Sequence, residues 1–400
     1  MTATRALAER LLASVRSHLP AAVELRHQAH REPELGGHEE RTAALVATAL
    51  GDPDAPWVTQ GRLIRIPAGQ GPHVAIRAEL DALPLTEATG APWASVNGAM
   101  HACGHDVHMA ALVAFGRAVR DAGGPCPVLA VLQPREESLP SGARDVIASA
   151  ELAAHDVGAF LGVHLHPSLP AGTVAAQAGP VNASADDFSI TIEGSPGHAA
   201  YPHLARDPIV AAAGVVLALQ QLVSRRIDPM HPSVLTIGTL HAGSAGNAIP
   251  RSAELTGTLR AFDEADRRQL HSALQETAEL TARGYGCVAT VTVGLGEPVL
   301  RNDGRLAAAA GPWLATLGLD PAGDMRSCGS DDFAFYNEGF PALMSFVGTG
   351  EATVPGLHHP EFLPPDDAIF DVARAMLAGY LGACDVLSGP AVPLTAGSTA

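Results

Sequence analysis

Apolar positions recur at helical spacing from the start of the chain. Leu7, Leu11, Leu12, Val15 and Leu19 mark one face of an amphipathic helix. The stretch LRHQAHREPELGGHEERTAALVATAL then reads as helix, loop, helix, with Pro33 and the paired glycines at the break. Strand-like runs follow at GRLIRIPA, HVAIRAELDALP, PVLAVLQP and VGAFLGVHLHP, with a helix, DVHMAALVAFGRAVR, between the second and third. Strands alternating with helices predict an α/β fold on a mixed, mostly parallel sheet.

The pattern changes near residue 185. DDFSITIEG alternates apolar and polar residues, as a half-exposed strand does. A helix, two strands (SVLTIGTLHAG and SAELTGTLRAF), a second helix and CVATVTVGL complete a β-α-β-β-α-β order, which describes a small α+β unit. After about residue 297 the α/β pattern resumes, with PALMSFVGT as a strand and DAIFDVARAMLAGYLGACDVL as the last helix. The expected organisation is therefore one discontinuous α/β domain (1–183 and 297–387), an inserted α+β domain (184–296) and a disordered tail (388–400).

Composition prunes the functions open to such a chain. At 400 residues and 47% hydrophobic content there is enough chain for two cores. A net charge of −17 excludes nucleic acid and anionic membranes as natural partners. The basic residues are all arginine, so pyridoxal Schiff bases, P-loops and kinase-type lysines are ruled out. The five scattered cysteines fit a reducing compartment. The start lacks a signal-peptide core, and the longest apolar run, Ile209 to Leu219, is short for a membrane span. A cytoplasmic protein is expected.

The chemistry is concentrated where strands end, which is where α/β sheets place their sites. AELDALP sets Glu79 and Asp81 on one strand face. In MHACGHDVHM a glycine separates Cys103 from His105, so both can reach one centre; thiolate and imidazole suit zinc and similar ions. Asp106 could orient a ligating imidazole, with His101 and His108 as neighbours rather than ligands. In VLQPREES the adjacent Glu136 and Glu137 point to opposite sides, so one can bind metal while the other acts as a general base. GVHLHP adds His164 and His166, and GLHHPEF adds His358 and His359. Each motif alone reads as a solvated strand end; five on one rim do not. No HExxH, GxSxG or helix-opening GxGxxG occurs.

These motifs resemble the N-acyl-amino-acid amidohydrolases, including hippurate hydrolase and the indole-acetyl-amino-acid hydrolases. That group belongs to the dimetal peptidase clan of aminoacylase and carboxypeptidase G. The resemblance runs from RHQAHREPEL through RAELDALPLTE, MHACGHDVHMA, GPVNASADDFSITIEGSPGHAAYPHLARDPI, GNAIPRSAELTGTLR and CGSDDFAFY to LHHPEF. It implies metal-dependent hydrolysis of small N-acyl amino acids and two divalent ions per subunit, zinc first, with manganese, cobalt or nickel as alternatives. Carried over residue by residue, it places ligands at Cys103, His105, Glu137, His164 and His358, with Cys103 as a bridge, and the general base at Glu136. Asp81 would steer a ligand or the base.

The resemblance makes 184–296 a lid or dimerisation domain that pairs two subunits. His198 would polarise the substrate carbonyl, with His203 as a second candidate, and Asn247 and Arg260 would touch substrate. Three departures bear on the substrate. Arg135 stands beside the base where relatives carry a small residue, and His166 replaces an aromatic. The arginine that holds a substrate carboxylate in carboxypeptidase G relatives has no match near GLGEPVLRND. A dipeptidase or carboxypeptidase of the same clan, and a non-catalytic binding protein on the same fold, are the competing readings.

Overall fold

The computed structural model describes residues 2–350 and 355–389. The expected tail lies outside them apart from Ser388, which closes the last helix, and Gly389. The described chain forms two compact units. One holds the residues up to Gly179, Arg301–Met325 and those from Phe335 onward; the other holds Pro180–Leu300 and Arg326–Ala334.

The first unit is built on an eight-stranded sheet. Strand His73–Glu79 lies between Val128–Gln133 and Val157–Pro170 and is parallel to both. Ala342–Gly350 extends the parallel run beyond Val157–Pro170. Gly61–Ile66 pairs antiparallel with Val128–Gln133 on the other side. Residues 128–133 are buried throughout, as expected of a strand covered on both faces. The first two expected helices are one, Thr2–Arg31, which runs through Pro20. A proline inside a helix costs about 3 kcal/mol. Burial of Leu11, Val15, Ala22 and Leu25 offsets this, since each large apolar side chain contributes roughly 1.5–3 kcal/mol.

The second unit has the expected β-α-β-β-α-β order, from Ser184–Glu193 to Val288–Leu295. The four strands of its larger sheet are antiparallel. Phe188, Ile190, Ile192, Leu255 and Leu259 form a core with helices Pro208–Arg226 and Glu264–Gly284. Helix Pro208–Arg226 outruns its apolar stretch and is long and apolar enough to cross a membrane by length and composition. Here its Ala211, Ala212, Val215, Leu219 and Leu222 are buried in that core. This unit spans Pro180–Leu300, against the expected 184–296, and it also takes in Arg326–Ala334. The Ala183 N–H donates to the Ser327 carbonyl at 3.1 Å, and Arg260 Nη1 donates to Ser330 Oγ at 3.2 Å. Both are contacts between residues far apart in sequence.

One ion pair fastens the second unit. The buried Asp186 accepts Arg267 Nε at 2.8 Å and Nη2 at 2.6 Å, the Gly296 N–H at 3.0 Å, and pairs with His271 Nε2 at 2.7 Å. Burial alone would raise its carboxyl, but the Arg267 hydrogen bonds and charge bring it below the usual range. The stabilisation is thus present above the unfolded carboxyl value near 4 and lost as pH falls through the lower folded value. Asp186→Ala leaves the buried Arg267 guanidinium with only the Glu264 carboxylate and the Gly296 carbonyl and is expected to cost about 3 kcal/mol at neutral pH. Thermal unfolding at pH 7 and in acid checks this: the gap between wild type and variant closes as pH drops below about 4.

Candidate metal centre

Because His73–Glu79, Val128–Gln133 and Val157–Pro170 are parallel neighbours, the residues at their carboxyl ends share one rim. Asp81 lies just past the first strand, Glu136 and Glu137 just past the second, and His164 on the third. Cys103 and His105 arrive from the start of helix His105–Ala122. Gly104 between them has φ +86, and a Cβ there would meet Leu165 Cδ1 at 2.8 Å. Only glycine makes that turn at that distance. His358 also has a positive φ (64°), and its N–H donates to the Ala102 carbonyl at 2.9 Å.

The structure brings five of the expected ligands together. Cys103 Sγ lies 3.4 Å from His164 Nε2, and His358 Nε2 lies 3.1 Å from Glu137 Oε1. Cys103, Glu137 and His358 offer atoms within 4.8 Å of one another, and so do His105, Glu136 and Glu137. His359 is turned elsewhere, its Nδ1 accepting the Glu361 N–H at 3.2 Å.

The imidazoles are oriented from behind. His105 Nδ1 donates to the Asp81 carbonyl at 2.9 Å, and His164 Nδ1 donates to the Leu165 carbonyl at 2.7 Å. Each is left with Nε2 facing the cluster, and the buried His105 Nε2 has no hydrogen-bond partner. One thiol, three imidazoles and a carboxylate are a donor set suited to divalent transition ions, so these residues fit a metal centre.

Electrostatics shape the cluster. Burial lowers His164 to about 3, with His108 adding to the effect, so its ring is neutral. Burial opposes charge on His105 too, but hydrogen bonding to Asp81 and the nearby carboxylates lift it to about 10. Burial, then Glu137 and Glu136, push the Cys103 thiol well up. Glu137 is drawn down despite burial, by His358 and His105.

His108 and Glu79 lie within ligand distance of His105 and His164, but both His108 nitrogens are engaged. Nδ1 donates to Glu79 Oε2 at 3.0 Å, and Nε2 accepts the Leu165 N–H at 3.0 Å. Arg77 Nη2 donates to Glu79 Oε1 at 2.7 Å. A buried chain therefore runs from Arg77 through Glu79 and His108 to the Leu165 N–H, and the same residue's carbonyl, in the next peptide, accepts from His164 Nδ1. Glu79, weighed in the sequence only as an acidic strand end, belongs to this chain.

Two expectations are corrected. Asp106 orients no ligand; it accepts Arg26 Nε at 2.9 Å and pairs with His30 Nδ1 at 3.0 Å. One residue along a helix is a turn of about 100°, which sends it away from the ligand face. Arg135 does not set its charge beside the base. Its backbone is left-handed (φ +53), and its guanidinium turns to the Pro140 carbonyl and the Asp145 carboxylate.

The remaining expected residues lie in the second unit. His198 and Asn247 come together where Gly197–His198 pairs with Ala248–Ile249, and the Ala199 N–H donates to the Asn247 carbonyl at 3.1 Å. His198 Nδ1 accepts the Ala200 N–H at 3.0 Å. His203 sits in the short turn Pro202–Leu204, and Arg260 reaches Ser330.

An α/β unit whose strand ends converge on thiol, imidazole and carboxylate defines a metallohydrolase of the peptidase type. The chain belongs to Peptidase family M20/M25/M40, whose profile matches residues 75–381. It is 36% identical to an N-acetylcysteine deacetylase of Bacillus subtilis over 356 residues, covering 87% of this chain and 92% of the relative. An N-acetyldiaminopimelate deacetylase of Exiguobacterium sibiricum is 34% identical over 355 residues, covering 87% and 95%. A solved Bacillus subtilis structure, a dinuclear metal-binding peptidase of the same family, superposes with a TM-score of 0.81. It is 31% identical, covering 93% of this chain and 99% of that one.

The chain behind His164 can be tested directly. His108→Leu frees the Leu165 peptide and the His164 ring, and is expected to weaken metal affinity about 10–100-fold. Metal content after graded dialysis against a chelator reads this, with far-UV circular dichroism reporting the fold.

Proposed function

We propose that this chain hydrolyses the amide bond of small N-acyl amino acids, releasing a carboxylate and a free amino acid. The observation that carries the reading is the position of Glu136 beside a cluster of five donors, its Oε2 3.8 Å from His105 Nε2. The two deacetylase relatives, similar along nearly their whole length, support the substrate class.

Cys103, His105, Glu137, His164 and His358 would hold two divalent ions, zinc first given the thiol, with manganese, cobalt or nickel as alternatives. Such ions supply Lewis acidity that brings water's pKa toward neutrality and polarises a carbonyl. Glu136 takes the proton of the attacking water and delivers it to the departing amine. Asp81 holds the ligands in place through its carbonyl on His105 and its carboxylate on the Glu137 N–H. We assign His198 to the substrate carbonyl, as a donor from Nε2, since Nδ1 is engaged. Asn247, Arg260 and His203 are assigned to substrate contact. The second unit would serve as a lid and pair two subunits, in a cytoplasmic enzyme.

The first experiment is amine release from N-acetyl, N-benzoyl and indole-acetyl amino acids beside free dipeptides. It uses chelator-stripped protein before and after single divalent metals are restored. Metal-restored cleavage of the acylated set is expected. Cleavage of dipeptides alone would make the chain a peptidase, and silence with metal bound would make it a binding protein. Glu136→Gln is expected to lower turnover ~10²–10⁴-fold with metal content unchanged. Near-normal turnover in that variant would remove Glu136 from the role.

A further inference from the structure

We propose that Glu39 is a positioning residue for the general base, clamping the turn that carries it. The inference rests on the reading of Glu136 as that base. Glu39 is fully buried at the mouth of helix Glu40–Ala49, yet its side chain makes no cap hydrogen bond to that helix. Oε1 instead accepts the Arg135 N–H at 2.7 Å, and Oε2 accepts the Gly37 N–H at 2.8 Å. On the far side of the base, Asp81 Oδ2 accepts the Glu137 N–H at 2.8 Å. The peptide N–H groups flanking Glu136 are thus each held by a different buried carboxyl group.

The turn needs holding. Arg135 is in the left-handed region, which a side chain other than glycine adopts only when its surroundings impose it. The segment before Glu39 is shaped to press on this turn. A Cβ on Gly36 would meet Ser138 Oγ at 2.3 Å, and Arg135 Cγ lies 3.5 Å from the same point. That segment is itself tied to the sheet, since Leu35 bridges Ala82 and the Ala82 N–H donates to the Glu34 carbonyl at 2.8 Å. Burial lifts the Glu39 carboxyl to about 7 while the Arg135 N–H draws it down. An oxygen accepts that N–H in either protonation state, so the clamp does not depend on charge.

Proton transfer requires a heavy-atom reach of about 2.6–3.2 Å. Without Glu39, Arg135 can relax out of the left-handed region and carry the Glu136 carboxylate off line. A misplacement of about 1 Å costs about 100-fold in rate. Glu39→Ala is therefore expected to lower kcat about 100-fold, with KM and metal content within about twofold of wild type. Glu39→Gln keeps the shape and one acceptor oxygen, which can hold the Arg135 N–H while its NH2 faces the Gly37 N–H, so it should regain part of the rate. It also serves as the test if the alanine variant does not fold.

The decisive measurement is a double-mutant cycle with Glu136→Gln. If Glu39 acts through the base, Glu39→Ala changes the residual rate of Glu136→Gln by less than about twofold. Equal losses in both backgrounds would overturn the clamp while leaving the base in place. So would an undiminished kcat in Glu39→Ala, or a loss that tracks metal content. Near-normal turnover of Glu136→Gln itself would remove both readings.

Discussion

Asp81 lies just past the end of strand His73–Glu79. Its carboxylate accepts the Glu137 N–H while its carbonyl accepts the His105 Nδ1–H. One buried residue thereby ties two segments that carry proposed ligands, the turn after Val128–Gln133 and the start of helix His105–Ala122, to the strand between its two parallel neighbours. Parallel pairing dictates this geometry. Adjacent parallel strands end at the same rim, and a residue past one end can bridge to the turn after the next. Asp81 Oδ1 accepts no hydrogen bond but lies 3.6 Å from His105 Nδ1, within ion-pair range.

Polarity around the rim is concentrated where orientation matters. Glu79 is buried, which alone would raise its carboxyl, yet Arg77 and His108 hold it well below the usual range. Its charge keeps the proton of His108 on Nδ1, leaving Nε2 to accept the Leu165 N–H. Leu165 is thereby held at its N–H, and its carbonyl accepts from His164 Nδ1. The donors themselves are poised differently. The Cys103 thiol is pushed up and His105 holds its proton strongly, so binding a cation there is linked to proton loss. The cluster is therefore stable as neutral thiol and paired ions, and becomes a ligand set only when a cation replaces the protons.

Much of this was legible in the chain. Alternation and helical spacing located the strands whose ends form the rim and the α+β order of the second unit, because those signals are local. Cys103, His105, Glu137, His164 and His358 stood out because such residues at successive strand ends are improbable on a solvated surface. Contacts between distant residues were harder to read. Asp106 adjoins a ligand in sequence, but helical rotation carries it to Arg26 and His30. Arg135 adjoins Glu136, the proposed base, but its backbone is left-handed and its guanidinium meets Pro140 and Asp145. Glu39 gave no signal beyond a paired glycine nearby, since its partner is almost a hundred residues further on. The segment 326–334 read as part of the α/β pattern because its hydrogen bonds to Ala183 and Arg260 leave no local trace.

Glu136 and Glu137 show why such distant contacts decide the chemistry. They are chemically alike and adjacent, and composition gives no reason for the proposed division, in which Glu137 binds a cation and Glu136 moves a proton. Backbone conformation separates them. With Arg135 left-handed and the Glu137 N–H fixed by Asp81, the two side chains leave the turn in different surroundings. Glu137 meets His358 and Cys103, both donors with protons to lose. Glu136 instead stands 3.8 Å from His105, beyond hydrogen-bond length and inside the range of charge. In the proposed division the Asp81 hold on the Glu137 N–H keeps the ligand and the Glu39 hold on the Arg135 N–H keeps the base, so the turn's outer carboxyl group bears on the reaction without touching the substrate.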